Sequence, residues 1–468
     1  MATTTEKTPE MQDKKKAEPG RLFAGPIQDE EEELAGEISE WEKKKRLAGN
    51  AKFHRLGWKR LTIILIVEAV ALGALSLPAC FATLGMVPGT LCCVFFGLVA
   101  IYAGHNVGEL KVKYPEVQNY ADAGRLMFGR VGYEFVSAIF LLELIFVSGS
   151  HCLTGTIAFR DLTNNGACAL VFGVVSAIIL FAVSVPPSFT EMAILGYIDF
   201  ASILIAIGIT IIATGVQASD SAGGMSAVDW SAWPRDGVTA HEVFVAIVNI
   251  ILAYTFTLCQ FSFMDEMHTP AQYPKAVWAT GIVEIFIYTL TGALVYAFVG
   301  NEVQSPALLS GGPTISKIAF GVALPVIFIS GAVITQCAAR LVHGRIYENR
   351  VERYVNTTKG WISWLATVLV IVIIGWVIAE AIPFFSNLVA LISSLFNSGF
   401  ALYLPALMWF MLLREGAWNT RENLIKGAIN GFMFVAGMVV LVGGTWASVK
   451  SIVDDYNAGN VGGSFTCS

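Results

Sequence analysis

The sequence predicts an all-α polytopic membrane protein, and three observations carry that prediction. Eleven apolar stretches, each long enough to cross a bilayer, run from Leu61 to Val449. A hydrocarbon core about 30 Å thick is spanned by roughly 20 mainly apolar helical residues. The 468 residues are 55% hydrophobic and 14% charged, with mean hydropathy +0.63, where a soluble chain would carry about 25% charged residues. Several stretches also hold a carboxylate in mid-span. A charge is costly there, and acids kept there usually belong to an ion, proton or substrate path.

The elements follow in order. Runs such as Lys14-Lys15-Lys16, Asp29 to Glu33 and Lys43 to Arg46 are too polar for a core. Residues 1–60 therefore read as a disordered tail, without the apolar segment of a secretory signal. Spans are expected at 61–86, 88–110, 133–158, 167–186, 190–216, 243–264, 275–300, 316–337, 361–382, 384–413 and 425–449, with a tail at 450–468. Lys and Arg are retained on the cytoplasmic side of a membrane. With the N-terminus inside, all but Arg160, Arg235, Lys317 and Lys450 of the 30 basic residues fall on that side. An odd number of spans then places the C-terminal tail outside the cell.

The net charge of −6 sits in loops and tail and leaves no nucleic-acid footprint. The long outer loop 217–242 carries Trp230 and Trp233, which suit an interfacial belt. The sequon Asn356-Thr357-Thr358 lies in a loop placed inside and is expected to carry no glycan. The eight cysteines show no zinc or haem spacing, so neither metal nor cofactor is expected. Cys80, Cys92, Cys93, Cys152, Cys259 and Cys337 lie within spans as small apolar residues. Cys168 and Cys467 both fall near the outer face, where one disulfide is conceivable. No P-loop or GxSxG motif is present, which argues against an enzyme or an ATP-driven pump.

Two spans have unusual interiors. The first reads Glu68-Ala69-Val70-Ala71-Leu72-Gly73-Ala74-Leu75-Ser76-Leu77-Pro78, small residues and a proline after a mid-span acid. Pro78 cannot donate to the helix ladder, and Gly73 tolerates unwound backbone. Two readings fit: a simple proline kink, or a broken helix lining a cavity, as transporters use to build sites. The sixth span reads Tyr254-Thr255-Phe256-Thr257-Leu258-Cys259-Gln260-Phe261-Ser262. Without Gly or Pro, its backbone gives no reason to break. Its hydroxyls and aromatics suit either a small polar-apolar pocket or interhelical hydrogen bonding.

Glu68, Glu143, Asp199 and Glu284 lie about 12–15 Å deep by the helical rise. No Lys or Arg lies at that depth. Each acid must be protonated, reach water or hold a cation. A protonated packing group is the plain alternative, weaker for Glu68 because it adjoins the small-residue segment. Glu380 is nearer the outer end of its span. His105 and His151 read as neutral packing residues rather than proton relays.

At this point the residues resemble a family. Gly73-Ala74-Leu75-Ser76-Leu77-Pro78 is similar to the first-helix signature of the amino acid/auxin permeases, Gly-x-Gly-x-Leu-x-Leu-Pro. Met264-Asp265-Glu266-Met267-His268-Thr269-Pro270 with Tyr273-Pro274-Lys275-Ala276 resembles the family's Glu-Met-x-x-Pro-x-x-x-Pro-Lys-Ala after helix six. The resemblance covers about residues 55–450 and looks closest to the fungal neutral amino-acid permeases of the methyltryptophan-resistance type. It implies a five-plus-five inverted repeat (61–216 and 243–413) with discontinuous first and sixth helices, and an eleventh helix at 425–449. Substrate carboxylate and amine would then meet backbone at Ala69, Val70, Ala71, Leu72 and Gly73, and at Tyr254, Thr255, Phe256, Thr257 and Leu258. Ala71 stands where the family often has its first Gly, and Thr257 where many relatives carry His. Glu68 falls where sodium-coupled relatives tend to have an amide, and a carboxylate there can bind and release a proton.

The expectation is a secondary transporter importing neutral aliphatic and aromatic amino acids across the plasma membrane. The coupling ion is a proton in preference to sodium, carried by Glu68 with Asp199 as second candidate. Alternatives are a vacuolar exporter, a nutrient receptor without net transport, and an ion channel, although no continuous polar pore face is visible.

Overall fold

The computed structural model describes residues 56–458 except 222, 349, 383 and 384, together with Phe465 and Cys467; at Ala71 and Leu72 it describes backbone alone. Most of the tail 1–60, and most of the chain beyond 458, lie outside the described residues.

The described chain is helical, with no strand beyond one isolated bridge at Leu56. The helices are α1 Trp58–Leu84, α2 Met86–Lys113, α3 Tyr120–Leu162, α4 Ala169–Val183, α5 Phe189–Asp220 and α6 Ala240–Ala253. There follow α7 Gln260–Asp265, α8 Tyr273–Val299, α9 Gly312–Ile346, α10 Thr358–Ala381, α11 Phe385–Leu413 and α12 Arg421–Ala458. Eight of the described helices are long and apolar enough to cross a membrane, nine if the two halves of α1 count as one span; α4 and α6 are shorter and apolar. The chain is a multi-pass membrane protein.

Local chemistry sets the ends. Asn119 caps α3 by accepting the Ala121 and Asp122 N–H groups, and Thr239 with Glu242 forms a capping box at α6. The Asn119 cap starts α3 well before the expected 133, with a kink at Gly129. Val185 and the pair Pro186-Pro187 stop α4 early. Gly85, at φ 83°, turns the chain between α1 and α2, and a Cβ there would meet Trp233 backbone at 2.6 Å.

Exposure is inverted relative to a soluble protein. Ile212, Phe286 and Ile362 point outward, while Glu143, Gln260, Glu284, Gln336 and Asn397 are fully enclosed. Outward aliphatics meet lipid, and polar groups face the bundle interior. α1 packs at the centre against α5, α6, α8 and α9, while α3 lies against α9 and α10. α11 winds as a π-helix over Ser393–Tyr403 and again over Trp409–Leu413.

Candidate functional site

α1 bends by 48° between 58–70 and 73–84. The bend falls at Ala71-Leu72 and not at Pro78, which lies within the second half. The sixth span is also interrupted: α6 ends at Ala253, α7 begins at Gln260, and the chain between is non-helical. With neither Gly nor Pro at this break, side chains and distant carbonyls must hold its backbone.

The two breaks meet. A Cβ on Gly73 would lie 2.8 Å from both Cα and Cβ of Ala253 and 3.1 Å from the Tyr288 hydroxyl. Only glycine permits that approach. Glu68 Oε1 accepts the Cys259 N–H at 2.8 Å, while Glu68 Oε2 is buried without a partner. The Tyr288 hydroxyl donates to the Ala253 carbonyl at 2.9 Å. The Tyr120 hydroxyl lies within reach of the Thr257 carbonyl (3.2 Å) and the Phe400 carbonyl of the π-helical segment (3.0 Å). Asn397 Nδ2 donates to Thr255 Oγ1 at 2.8 Å, and Thr255 Oγ1 donates to the Leu252 carbonyl. Freed backbone and hydroxyls thus find partners inside the protein, as they must away from water.

Of the expected site residues, Ala69, Val70, Tyr254, Thr255, Phe256, Thr257 and Leu258 are buried around this junction. The side chains of Ala71 and Leu72 lie outside what is described. Tyr254 stacks edge-on to Tyr288 at 5.0 Å, and its hydroxyl has no partner. Asp199 sits apart, between α5 and α9, where Asp199 Oδ1 accepts from Ser330 Oγ at 3.0 Å. Glu143 and Glu284 are fully buried, and none of their carboxylate oxygens has a partner. His151 Nδ1 bonds the Ile327 carbonyl at 2.8 Å, as a packing residue would.

Tyr120, Asn397 and Ser330 were not singled out in the sequence. Asn397 alone gave a signal, as an amide within an apolar span.

One end of the bundle is closed by a polar clasp on Asp265 and Glu266, at the C-terminal end of α7. Lys111 Nζ donates to Asp265 Oδ1 at 2.7 Å and to the Pro115 and Val117 carbonyls. Burial of Asp265 raises its pKa, but Lys111, Arg340 and Arg353 outweigh this and hold the carboxyl below its usual value. Arg340 pairs with Glu266 at 2.8 Å, and Glu266 accepts the Phe189 and Thr190 N–H groups at the start of α5. Leu56 adds a backbone rung, donating to the Glu266 carbonyl and accepting the His268 N–H. At the opposite end, Cys168 and Cys467 are joined in a disulfide.

A bundle built on two interrupted helices, with an unpaired acid at their junction, has the architecture of a secondary transporter. Residues 54–450 match the family described as transmembrane amino acid transporter protein, and the chain belongs to it. It is 57% identical over 421 residues to the N amino acid transport system protein of Neurospora crassa, covering 90% of each chain. It is 24% identical over 400 residues to amino acid transporter AVT1J of Arabidopsis thaliana, covering 81% of this chain and 88% of that one. Among solved structures it resembles Mhp1, a nucleobase-cation-symport-1 family transporter, in a closed conformation with bromovinylhydantoin bound. The TM-score is 0.53 at 14% identity, over 86% of this chain and 93% of that one. That likeness speaks to the fold. Family and relatives are transporters, and the chain is an amino acid transporter rather than an enzyme.

Proposed function

We propose that this protein imports neutral aliphatic and aromatic amino acids across the plasma membrane by proton symport. The observation that carries the reading is the carboxyl of Glu68, held by the Cys259 N–H where the two broken spans meet. Glu68 Oε1 is occupied as an acceptor and Glu68 Oε2 is without a partner, so a proton arriving on Oε2 displaces no existing bond. Among the described residues, no Lys or Arg pairs with Glu68, Glu143, Asp199 or Glu284. Charge compensation therefore falls to a transported cation, and an acidic substrate side chain would find no counter-ion. Asp199, bonded to Ser330, is the second candidate for coupling.

In this reading eleven spans form two five-helix repeats, 61–216 and 243–413, with 425–449 appended. Nine long spans, counting bent α1 once, together with short α4 and the interrupted sixth span support that number. The substrate's carboxylate and amine meet backbone at 69–73 and 254–258, and the clasp at Asp265-Glu266 lies on the cytoplasmic side. The distribution of Lys and Arg favours an inside N-terminus and an outside C-terminus. A disulfide between Cys168 and Cys467 suits an oxidising exterior.

The test is counterflow in proteoliposomes with a panel of amino acids, under imposed pH or sodium gradients. Leucine, phenylalanine and tryptophan should compete better than glutamate by at least about tenfold, roughly 1.4 kcal/mol. Accumulation should follow the pH gradient; dependence on sodium alone would overturn the coupling ion, and potent inhibition by glutamate the selectivity.

A further inference from the structure

We propose that this protein has a second amino-acid site, a cavity at the disulfide-bearing end of the bundle that binds one free neutral amino acid as a zwitterion. The cavity measures about 320 Å³ and is lined by Ile157, Arg160, Asp161, Asn164, Asn165 and Leu309. That is the small end of the range for ligand pockets, about 300–1,000 Å³. None of these residues belongs to the junction of the two breaks. Such a site needs only a carrier of amino acids, whatever ion drives it; leucine as its occupant rests on the neutral-substrate reading above.

The last turns of α3 supply both charges. Ile157, Arg160 and Asp161 stand at i, i+3 and i+4 and so share one side of the helix. Arg160 and Asp161 both line the cavity, but as sequence neighbours on a helix they do not face each other. Arg160 Nε donates to Asn165 Oδ1 at 3.0 Å, and Asp161 Oδ2 accepts from Ser316 Oγ at 2.8 Å. Among the described residues, the two Nη groups of Arg160 and Oδ1 of Asp161 stay uncommitted. The loop that follows is pinned on two sides. Asn164 and Asn165 take φ of 54° and 57°, a left-handed backbone that asparagine tolerates. The Asn165 N–H donates to the Arg160 carbonyl at 2.8 Å, and Lys317 Nζ, in the first turns of α9, donates to Asn164 Oδ1 at 2.6 Å. Bonds among α3, the loop and α9 thus fix the walls before any ligand arrives.

A free amino acid complements this set. Its carboxylate matches the planar fork of Arg160, its ammonium matches the Asp161 carboxylate, and an apolar side chain matches Ile157 and Leu309. A simple anion would be repelled by Asp161, and a simple cation by Arg160 and by Lys317 on Asn164. A molecule carrying both charges satisfies both groups. Leu309 belongs to the short turn Ala307–Gly311, which packs on α1, α5 and α9. An amino acid held here therefore joins the end of α3 to a turn that rests on the bent helix of the junction.

The experiment measures equilibrium binding of radiolabelled leucine to the full-length protein in detergent, as molecules bound per chain at saturation. Wild type should bind two. Arg160→Gln and Asp161→Asn should each bind one, and so should Leu309→Trp, which keeps both charges but fills the cavity from another element. Isocaproate lacks the amine and isopentylamine lacks the carboxylate, so neither should displace the second leucine, nor should inorganic phosphate. If one variant fails to fold, the others decide. One leucine in wild type and variants alike, or two in all of them, overturns the second site and leaves the neutral-substrate reading standing. Displacement of the second leucine by phosphate or isocaproate marks an anion site and overturns the zwitterion. Wild-type protein that binds no leucine overturns this site and the neutral-substrate reading together.

Discussion

Glu68 accepts the Cys259 N–H at 2.8 Å, so the acid preceding the bend of α1 is fastened to the backbone that ends the sixth-span break. The charge state of Glu68 and the geometry of the second break are therefore linked directly. Charging Glu68 strengthens its hold on the amide, and protonating it loosens that hold.

Glu68→Gln keeps the shape of the protonated acid and can still accept the Cys259 N–H, but it cannot release a proton. It should bind amino acid and exchange it in counterflow, yet lose accumulation driven by a pH gradient. Full pH-driven accumulation by this variant would remove Glu68 from the mechanism. If Asp199→Asn showed the loss instead, the role would pass to α5.

Gly73 has the Cα and Cβ of Ala253 opposite its missing Cβ, and neither atom is the far end of a flexible side chain. Gly73→Val should abolish uptake at normal surface abundance, and Gly73→Ala should reduce it. One of the two closest contacts is Ala253 Cβ, so adding Ala253→Gly should restore part of the Gly73→Ala loss. Wild-type KM and rate in Gly73→Ala would show that the approach of the two spans is not needed.

The first break was legible only in part, because small residues and Gly73 allow tolerant backbone but a kink at Pro78 fitted as well. The sixth was legible only through the family resemblance, since its break is held by Tyr120 and Asn397, each more than 130 residues away in sequence. No local pattern encodes such partners. The acids were legible as costly groups, but only coordinates could separate Asp199, bonded to Ser330, from Glu143 with no bond at all. Span ends drifted for a local reason: the Asn119 cap carries α3 beyond the apolar segment that hydropathy detects.

Asp122 lies outside the spans, and burial pushes its carboxyl up to about 6 despite the N–H groups of Gln118 and Asn119. The folded state therefore binds an extra proton between the unfolded value, about 3.9, and about 6. Stability from this group is fully present below the unfolded value and is lost as pH rises through about 6. Melting temperature in detergent should decline over that window, and Asp122→Asn should flatten the decline. An identical slope in the variant would assign the pH dependence elsewhere.

Lys111 is 3% exposed and satisfies two carbonyls as well as Asp265, whose side chain is 30% exposed. Breaking a buried pair by removing one partner costs about 3–5 kcal/mol, because a charge is left behind. Partial exposure of Asp265 puts Lys111→Met near the low end, about 3 kcal/mol. Adding Asp265→Asn removes the stranded charge and should recover part of the loss in thermal unfolding. A double variant no more stable than the single one would show that the two carbonyl bonds carry the effect.

Topology can be read through the disulfide. Apart from Cys168 and Cys467, the cysteines lie on helices or at the junction of the breaks, most of them fully buried. With the C-terminus outside, a membrane-impermeant reductant applied to intact cells should open this bond. An impermeant maleimide should then label two new thiols. A tag after Ser468 should be accessible without permeabilisation, and a tag before Met1 should not. Labelling that appears only after permeabilisation, with the N-terminal tag exposed, would reverse the orientation. It would also move the Asp265-Glu266 clasp to the outer face and turn the proposed import into export.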